Sequence, residues 1–195
     1  MEETAKAMFS WGAAILLFCI IFPLIVLAAV YNLFVRRKTM VEEAWAGIDA
    51  QLKRRANLIP NLVETVKGYM SHERETLDAV TQGRKASLEA SSVAEQGRAE
   101  GFLGAALGRL IAVAEAYPDL RASDSFVSLQ ASLGELEDEI QLARRYYNGA
   151  VRDLNILVES FPSNIVAKLF GFTKAVFFEL EDPADAKPPK VSFEG

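Results

Sequence analysis

The feature that most constrains the fold of this chain is an uncharged stretch near its N-terminus. Between Lys6 and Arg36 the sequence contains no Asp, Glu, Lys or Arg. About 20 apolar residues suffice for a helix to cross the hydrocarbon core of a bilayer, and this run has about 29. The sequence therefore predicts a short N-terminal segment over residues 1–6 and a transmembrane helix over residues 7–35.

Aromatic rings stand near both ends of the predicted span, Trp11 close to its start and Tyr31 close to its end. Such amphipathic rings prefer the two membrane–water interfaces. Pro23, in the middle, is tolerated in lipid-embedded helices and could kink this one. We therefore predict that Trp11 and Tyr31 are interface anchors.

A cleaved signal peptide is the alternative interpretation of this stretch. Its apolar region is typically about 7 to 15 residues long, follows a basic start and ends in small residues. Here the run is longer, the start carries Glu2 and Glu3 beside Lys6, and no convincing A-x-A site precedes Tyr31. An uncleaved signal anchor is the favoured interpretation.

Basic residues are distributed unequally about the span. Arg36, Arg37 and Lys38 follow it directly, and another basic cluster lies at residues 53–55, whereas Lys6 precedes it. Basic residues close to a span favour the cytoplasmic side. We expect a single-pass protein of the inner, cytoplasmic membrane, with its N-terminus outside and its helical domain in the cytoplasm. The three basic residues after the span are further interface anchors.

Beyond the span, apolar residues recur with helical spacing, and alternating strand patterns are lacking. The clearest stripe advances by three and four residues in turn, which is typical of a helix packed along its length. It consists of Phe126, Leu129, Leu133, Leu136, Ile140, Ala143, Tyr147, Ala150, Leu154, Leu157 and Phe161. Ser123 can cap the start and Pro162 closes the end, so we predict one helix over residues 122–161.

Two helical stretches precede this one. The nearer lies at residues 95–117 and ends before Pro118. The other begins after the span, and beyond Pro60 its stripe resumes with Leu62, Val66, Tyr69, Glu73, Leu77 and Val80. We predict an all-α fold, in which the transmembrane helix is followed by an antiparallel bundle of three to four long helices over residues 36–172.

The role of Pro60 has two interpretations. It could kink one long helix, or it could lie in the first turn of a new helix entered through Asn57. In the second case four helices would run up and down and return the chain near Phe161 toward the membrane. In the first case that end would lie far from the membrane.

The C-terminal tail differs in composition from the bundle. Prolines stand at positions 183, 188 and 189. Such a segment favours an extended chain over a packed helix. We predict a largely extended tail over residues 173–195 that contributes little to folding.

Several blocks of the sequence resemble the LemA family. They are VEEAWAGIDAQLKRRANLIPNLVETVKGYMSHERETL at 41–77, AVAEAYPDLRAS at 112–123, FPSNIVAKLFGF at 161–172, the Tyr147-Asn148 pair, Val151, Asn155, and YNLFVRR after the apolar run. Because they agree in order and spacing over nearly the whole chain, the resemblance is far more specific than a short motif. The chain departs from the family pattern at Asn57, where aspartate is usual, and at Leu154, where tyrosine is common. Neither change threatens the fold.

This resemblance implies a membrane-anchored antiparallel helix bundle with its N-terminus outside and no defined enzymatic activity. Some members of the family are tied to the organisation of intracellular membranes. Family genes often lie beside those for membrane proteases or TPM-domain proteins. The resemblance thus implies a membrane protease or a TPM-domain protein as a partner.

Residues that could carry catalysis or bind a metal are scarce. His72 is the only histidine, and Thr76 stands where the H-E-x-x-H metalloprotease motif needs a second one. The only cysteine, Cys19, lies in the apolar run. The formal charge of −5 argues against nucleic-acid binding, which needs clustered positive charge. We predict no catalytic residue, no metal, no cofactor and no nucleic-acid partner.

Other charged and small residues have plain interpretations. The pairs Arg54-Arg55 and Arg144-Arg145 could meet acidic partners or each other's carboxylate neighbours, but we expect solvated surface charge. For Gly97 we favour a flexible loop leading into a helix over close helix packing. These residues alone predict no function.

The block from Asn57 to Asn61 is the candidate functional junction. Pro60, flanked by two amides in mid-domain, removes helix hydrogen bonds, and a broken local rule sometimes marks function. A capped helix junction is the plainer interpretation. We single out Asn57, Pro60 and Asn61 on this basis.

Two hypotheses of function follow from an extensive helical surface without a recognisable site. The first is a non-enzymatic scaffold or adaptor, which is anchored in the lipid bilayer and self-associates as a homo-oligomer through its long apolar helices. The second is a regulatory or substrate-presenting subunit of a membrane protease system, which is suggested by the gene neighbourhoods of the family. A hydrolase is disfavoured because the sequence offers no nucleophile paired with a base.

Overall fold

The structure is a computed structural model that describes the backbone of residues 2–70 and 72–179, and the side chains of residues 17–70 and 72–179. Within these residues there are six helices and no strand, which confirms the all-α prediction. The helices are α1 (Glu2–Lys67), α2 (Arg74–Glu89), α3 (Val93–Ala114), α4 (Pro118–Arg121), α5 (Asp124–Glu159) and α6 (Ser163–Phe170).

Helix α1 is a single helix of 66 residues that covers the apolar stretch and continues past Pro60. From Leu17 onward it contains a window that is long and apolar enough to cross a membrane, and only 6% of that window is buried. The core helix of a water-soluble protein would bury such a window, so its exposure favours contact with lipid. The predicted apolar N-terminal helix is therefore present.

Pro60 lies inside α1 and does not separate two helices. The chain turns instead at residues 68–70 and 72–73, where the backbone N–H of Met70 donates to the Val66 carbonyl at 2.9 Å. Met70 is fully buried, so the turn places this side chain in the core. The predicted stripe that runs on to Val80 is thus divided between α1 and α2, and it is wrong as a single helix.

The described residues fall into two compact units. The first comprises the chain up to Glu42 together with Ala150–Ala175. The second comprises Glu43–Gly149 together with the residues from Val176. Helices α1 and α5 each contribute residues to both units.

The second unit is a helical bundle in which α1 and α5 run antiparallel. Residues later in α1 pair with residues earlier in α5. The ring centroids of Trp45 and Tyr147 are 5.4 Å apart, and Arg55 Nη1 lies 2.6 Å from a carboxylate oxygen of Glu137. Helices α2 and α3, joined by a short turn, form a second helix pair. The predicted antiparallel bundle is confirmed for this unit.

The core of the second unit lies where its helices face one another. Its apolar residues recur at the three- and four-residue steps that keep side chains on one helix face. Full burial of each larger apolar side chain contributes roughly 1.5–3 kcal/mol, so this cluster is a main source of stability. It consists of Ile59, Leu62, Val63, Val66, Met70, Leu77, Val80, Leu103, Ala106, Leu107, Leu110, Ala114, Leu120, Phe126 and Leu133.

The first unit brings α6 and the residues after it against the end of the apolar stretch. The rings of Tyr31 and Phe170 meet edge to face with centroids 4.9 Å apart, and those of Phe34 and Phe172 stack at 4.7 Å. These contacts place the residues around the end of α6 beside the end of the apolar stretch, although α1 continues through Pro60.

The predicted stripe on α5 is buried along most of its length. Phe161 is exposed, at 81%, because α5 ends at Glu159, and Leu129, Ala143 and Leu157 are partly buried. The buried members are Phe126, Leu133, Leu136, Ile140, Tyr147, Ala150 and Leu154. The three- and four-residue spacing thus identified the packed face but placed its end too late.

Candidate functional site

The predicted interface anchors have different environments on α1. Trp11 lies outside the residues whose side chains the structure describes. Arg36 is exposed, and Lys38 lies 3.8 Å from Glu42 on the helix surface. Arg37 Nη1 instead lies 3.2 Å from Asp153 of α5, and both side chains are partly buried. Arg37 therefore has a packing role within the first unit.

The candidate junction Asn57, Pro60 and Asn61 lies on the exposed side of α1. Asn57 lines a surface groove of about 310 Å³, together with Leu58 and Ser132. Pro60 and Asn61 do not line it. The structure thus places the three residues on one helix surface, but it brings only Asn57 to the groove.

The groove beside Asn57 is charged. Arg54 Nη1 lies 2.8 Å from Glu139 Oε2, and both side chains are about half exposed or more. Arg54 also donates to the side-chain oxygen of Gln51 at 2.8 Å. Exposed ion pairs of this kind contribute about 0–1 kcal/mol, so the contact adds little to stability.

Pro60 has a structural counterpart in α2. A proline lacks the N–H that would bond to the carbonyl four residues earlier, which here belongs to Ala56. That carbonyl accepts a hydrogen bond from Arg84 Nε at 2.7 Å. The helix bond that Pro60 removes is thus replaced from a neighbouring helix, which explains how the proline is accommodated in α1.

A buried polar network occupies the interior of the second unit. Its centre is Glu100 of α3, whose side chain is fully buried. One carboxylate oxygen pairs with the Arg55 guanidinium, and the other accepts from the Ser87 hydroxyl and from Gln96 Nε2, the latter at 2.7 Å. Both oxygens of Glu100 therefore have donors from within the chain.

Arg55 connects this centre to α5. Its Nη1 donates to Glu137 at 2.6 Å, and the other oxygen of Glu137 accepts from Gln141 at 2.7 Å. Gln141 in turn accepts from Arg144 at 2.5 Å. The network thus links residues of α1, α2, α3 and α5, and it runs from the buried Glu100 to the half-exposed Glu137.

The sequence interpretation of Arg55 as solvated charge is wrong. The residue is only 4% exposed. A signal was present, because Arg55 follows Leu52 by three residues and precedes Ile59 by four, which puts it on the apolar face of α1. Glu100 precedes Leu103 by three positions, which puts it on the apolar face of α3. The sequence analysis did not single out this residue.

Residues 176–179, an extended segment that follows α6, belong to the second unit and pack against its helices. Phe178 is fully buried, and its ring lies 5.6 Å from that of Trp45. Asn148 accepts from the Phe178 backbone N–H at 2.9 Å and donates to its carbonyl at 3.1 Å. The Tyr147 hydroxyl donates to the Val176 carbonyl at 2.8 Å, and burial raises the pKa of Tyr147.

The neighbouring part of this segment is bound in the same way within the first unit. Asn155 accepts from the Ala175 backbone N–H at 2.9 Å and donates to its carbonyl at 3.0 Å. Residues 173–179 form neither helix nor strand, and Ala175 and Phe178 are bound to α5 by these hydrogen bonds. That the tail over residues 173–195 contributes little to folding stays a prediction. Residues 180–195 lie outside the described part of the chain.

Gly97 is part of this docking site. It lies inside α3 and is buried, so its interpretation as a flexible loop is wrong. A Cβ atom at this position would overlap the carbonyl oxygen of Glu179. The missing side chain therefore lets the extended backbone lie directly against α3.

His72 lies just before α2 and is exposed. Among the described residues, no group of three His, Cys, Asp or Glu side chains is placed to hold a metal ion. Glu73 accepts instead from the Tyr117 hydroxyl at 3.2 Å. Burial and the adjacent Glu73 carboxylate raise the pKa of Tyr117, so this tyrosine acts as a hydrogen-bond donor.

Comparison with known proteins gives a consistent result. A model described as the LemA family matches residues 44–193. The chain is 30% identical over 184 residues to magnetosome protein MamQ 2 of Paramagnetospirillum magneticum, covering 81% of this chain and 67% of that protein. Magnetosome protein MamQ of Magnetospirillum gryphiswaldense is also 30% identical, over 187 residues, with the same coverage. Protein LemA of Metamycoplasma hominis is 27% identical over 174 residues, covering 85% of this chain and 79% of that protein. The chain therefore belongs to the LemA family.

Proposed function

We propose that this chain is a non-enzymatic scaffold or adaptor, which holds its helical bundle at the cytoplasmic face of the inner membrane and binds membrane proteins or further copies of itself there. The observation that carries the proposal is the continuity of α1. One helix includes the apolar stretch and supplies residues to the bundle core without a break. The part from Arg36 to Lys67 is about 48 Å long at 1.5 Å per residue.

The use of the buried polar groups supports a role without catalysis. A catalytic carboxylate must reach a substrate, whereas the Glu100 side chain is fully buried and both of its oxygens are bound by Arg55, Ser87 and Gln96. The network holds helices of the bundle together. Partners would then bind to the exposed surface of the helical bundle.

The proposed orientation rests on Arg36, Arg37 and Lys38, which follow the apolar stretch. A reporter that is active only in the cytoplasm, fused after Gly195, should be active. The same fusion to a reporter that is active only outside the cytoplasm should be silent. The reverse pair of results would refute the orientation while leaving membrane anchoring intact.

Native mass spectrometry of the detergent-extracted full chain tests the scaffold itself. A discrete homo-oligomer would support self-assembly. A monomer that repeatedly carries one membrane protein, such as a membrane protease or a TPM-domain protein, would support the adaptor or regulatory-subunit form. The proposal is refuted if the chain is a monomer without any bound protein and deletion of its gene changes neither the distribution of membrane proteins nor their proteolysis.

A further inference from the structure

The outer face of α6 is apolar and exposed. Ile165 and Leu169 lie one helical turn apart and are 58% and 67% exposed, and Phe161 stands just before the helix. The inner face, with Val166 and Ala167, is buried in the first unit. In the described part of the chain, α6 therefore presents apolar side chains on two faces and covers one of them.

The position of α6 relates this exposed face to the apolar stretch of α1. Phe170, the last residue of α6, contacts the ring of Tyr31, and Phe172 contacts both Tyr31 and Phe34. The first charged residue after the stretch is Arg36. If the stretch crosses a bilayer, the end of α6 lies at the membrane–water interface, where aromatic rings accumulate.

The charge of this region suits the same environment. Residues 160–178 include Lys168 and Lys174 and no acidic residue. Lys174 Nζ lies 2.5 Å from Glu159 Oε1, so Lys168 is the basic residue on which the membrane contact depends. Lys168 is exposed and follows Ile165 by three positions, so it flanks the apolar face. A lysine in this place can lie along the apolar surface and extend its ammonium group to lipid headgroups.

We propose that α6 is an in-plane membrane helix. Phe161, Ile165 and Leu169 insert between the headgroups and acyl chains of the bilayer that α1 crosses, and Lys168 binds anionic headgroups. Helices of this kind bury their apolar face about 5–10 Å into the boundary region. The proposal rests on the membrane anchoring proposed above and adds a second point of contact between the chain and the bilayer.

Site-specific fluorescence in the full chain tests this proposal. The background variant Cys19→Ala removes the only cysteine, and Leu169→Cys or Ile165→Cys then receives an environment-sensitive label. Leu142→Cys is the matched control, because Leu142 is a leucine of similar exposure, 62%, on α5 in the second unit. Each protein is reconstituted in nanodiscs of equal parts phosphatidylcholine and phosphatidylglycerol.

We expect labels at positions 165 and 169 to emit at shorter wavelength than the label at 142. Aqueous iodide should quench them several-fold more weakly, and phosphatidylcholine with a nitroxide near its headgroup should quench them more strongly. Without phosphatidylglycerol the shift should shrink, and Lys168→Gln should remove that lipid dependence. Labels at 165 and 169 that respond to iodide like the one at 142 would overturn the proposal. Labels shielded from both quenchers would also overturn it, since they would show that a protein covers the face.

Failure of the anchor itself can be told apart from failure of α6. In the otherwise unmodified chain a label on Cys19 reports on the apolar stretch. If Cys19 is quenched by a nitroxide in the acyl chains while positions 165 and 169 stay in water, the anchor stands and the in-plane helix is refuted. If Cys19 is quenched by iodide, both proposals are refuted.

Discussion

Arg84 donates a hydrogen bond from its Nε atom to the carbonyl oxygen of Ala56 at 2.7 Å. Pro60 has no N–H with which to bond to that carbonyl, so the guanidinium on α2 replaces a missing bond of α1. Residues 60 and 84 are far apart in sequence, but both determine which donor bonds to the Ala56 carbonyl oxygen. Substitutions at Pro60 and Arg84 should therefore be non-additive.

The first prediction is a double-mutant cycle on this carbonyl. Arg84→Met should lower the free energy of unfolding by about 1.5 kcal/mol in the natural chain, since a hydrogen bond from a charged donor is lost. In the Pro60→Ala background the new N–H of residue 60 can bond to Ala56, so the same substitution should cost less than about 0.5 kcal/mol. Urea unfolding of the detergent-solubilised protein, followed by circular dichroism, measures both.

Lys85→Met is the control for this cycle, because Lys85 is the neighbouring basic residue and its side chain is 72% exposed. It should change stability little in either background. An equal cost of Arg84→Met with and without Pro60 would contradict the explanation. If Pro60→Ala also leaves the cellular phenotype unchanged, the special role that we considered for the junction is excluded.

The second prediction concerns the buried ion pair. Glu100→Leu should cost about 3–5 kcal/mol, because it removes the buried partner of the Arg55 guanidinium and leaves only the half-exposed Glu137 to pair with it. Combining it with Arg55→Met should restore much of that loss, since the uncompensated charge is then gone as well. Chemical denaturation of the three variants gives the coupling energy.

Glu137→Leu is the matched control for the ion pair. Glu137 also binds Arg55, but its side chain is 43% exposed, so water can replace it. Its loss should cost about 1 kcal/mol or less. Equal costs at positions 100 and 137 would show that burial does not set the strength of this network.

The third prediction uses two glycines of α3. Gly97→Ala should displace the extended segment, because the new Cβ overlaps the Glu179 carbonyl oxygen. Hydrogen exchange of the peptide that contains Phe178 should then become faster. Gly104→Ala, where no atom lies within 4 Å of the added Cβ, should instead stabilise the helix by about 0.5–1 kcal/mol. Unchanged exchange at Phe178 in Gly97→Ala would mean that the segment is not docked there.

The fourth prediction is a pH dependence at the start of α3. The Ser91 hydroxyl and backbone N–H donate to Glu95 at 2.7 and 2.9 Å, and these bonds lower the pKa of Glu95 below its usual 4.5. Because the folded-state pKa is the lower one, the carboxylate stabilises the fold above pH 4.5, and this contribution is lost as the pH falls through the folded-state pKa.

Glu95→Gln should therefore melt at a lower temperature than the natural chain at neutral pH, and the two melting curves should converge in acid. Ser91→Ala should reduce the pH dependence, since it removes the largest cause of the lowered pKa. A difference between the natural chain and Glu95→Gln that stays constant from neutral to acid pH would exclude the charged carboxylate as its source.

Periodicity predicted the helices well where apolar residues alone form the packed face. On α5, Phe126, Leu133 and Ile140 follow the rule and are buried. The spacing of apolar residues does not predict the burial of a charged residue on the same face, so Arg55 was predicted to be exposed to solvent. Its burial depends on Glu100 in another helix, and no local pattern connects two residues so far apart.

The turn between α1 and α2 and the docked segment were missed for a related reason. Leu62, Val66, Tyr69, Glu73 and Leu77 continue one helical spacing across the turn, so spacing alone gives no sign of it. The sequence shows only that position 97 is a glycine. The close approach of Glu179 to it is a tertiary contact, which local sequence does not reveal. For the candidate junction, sequence identified the unusual proline but could not supply its partner on α2.

The docking of Phe178 also has a consequence for how the chain is made. Trp45 and Tyr147 are synthesised before Phe178, so the aromatic site that receives this ring stays uncovered until translation has passed residue 178. Until then the nascent bundle shows an apolar surface to chaperones and proteases. A product cut short before this point would carry the same exposed surface permanently, which would let the cell's quality control distinguish it from the finished protein.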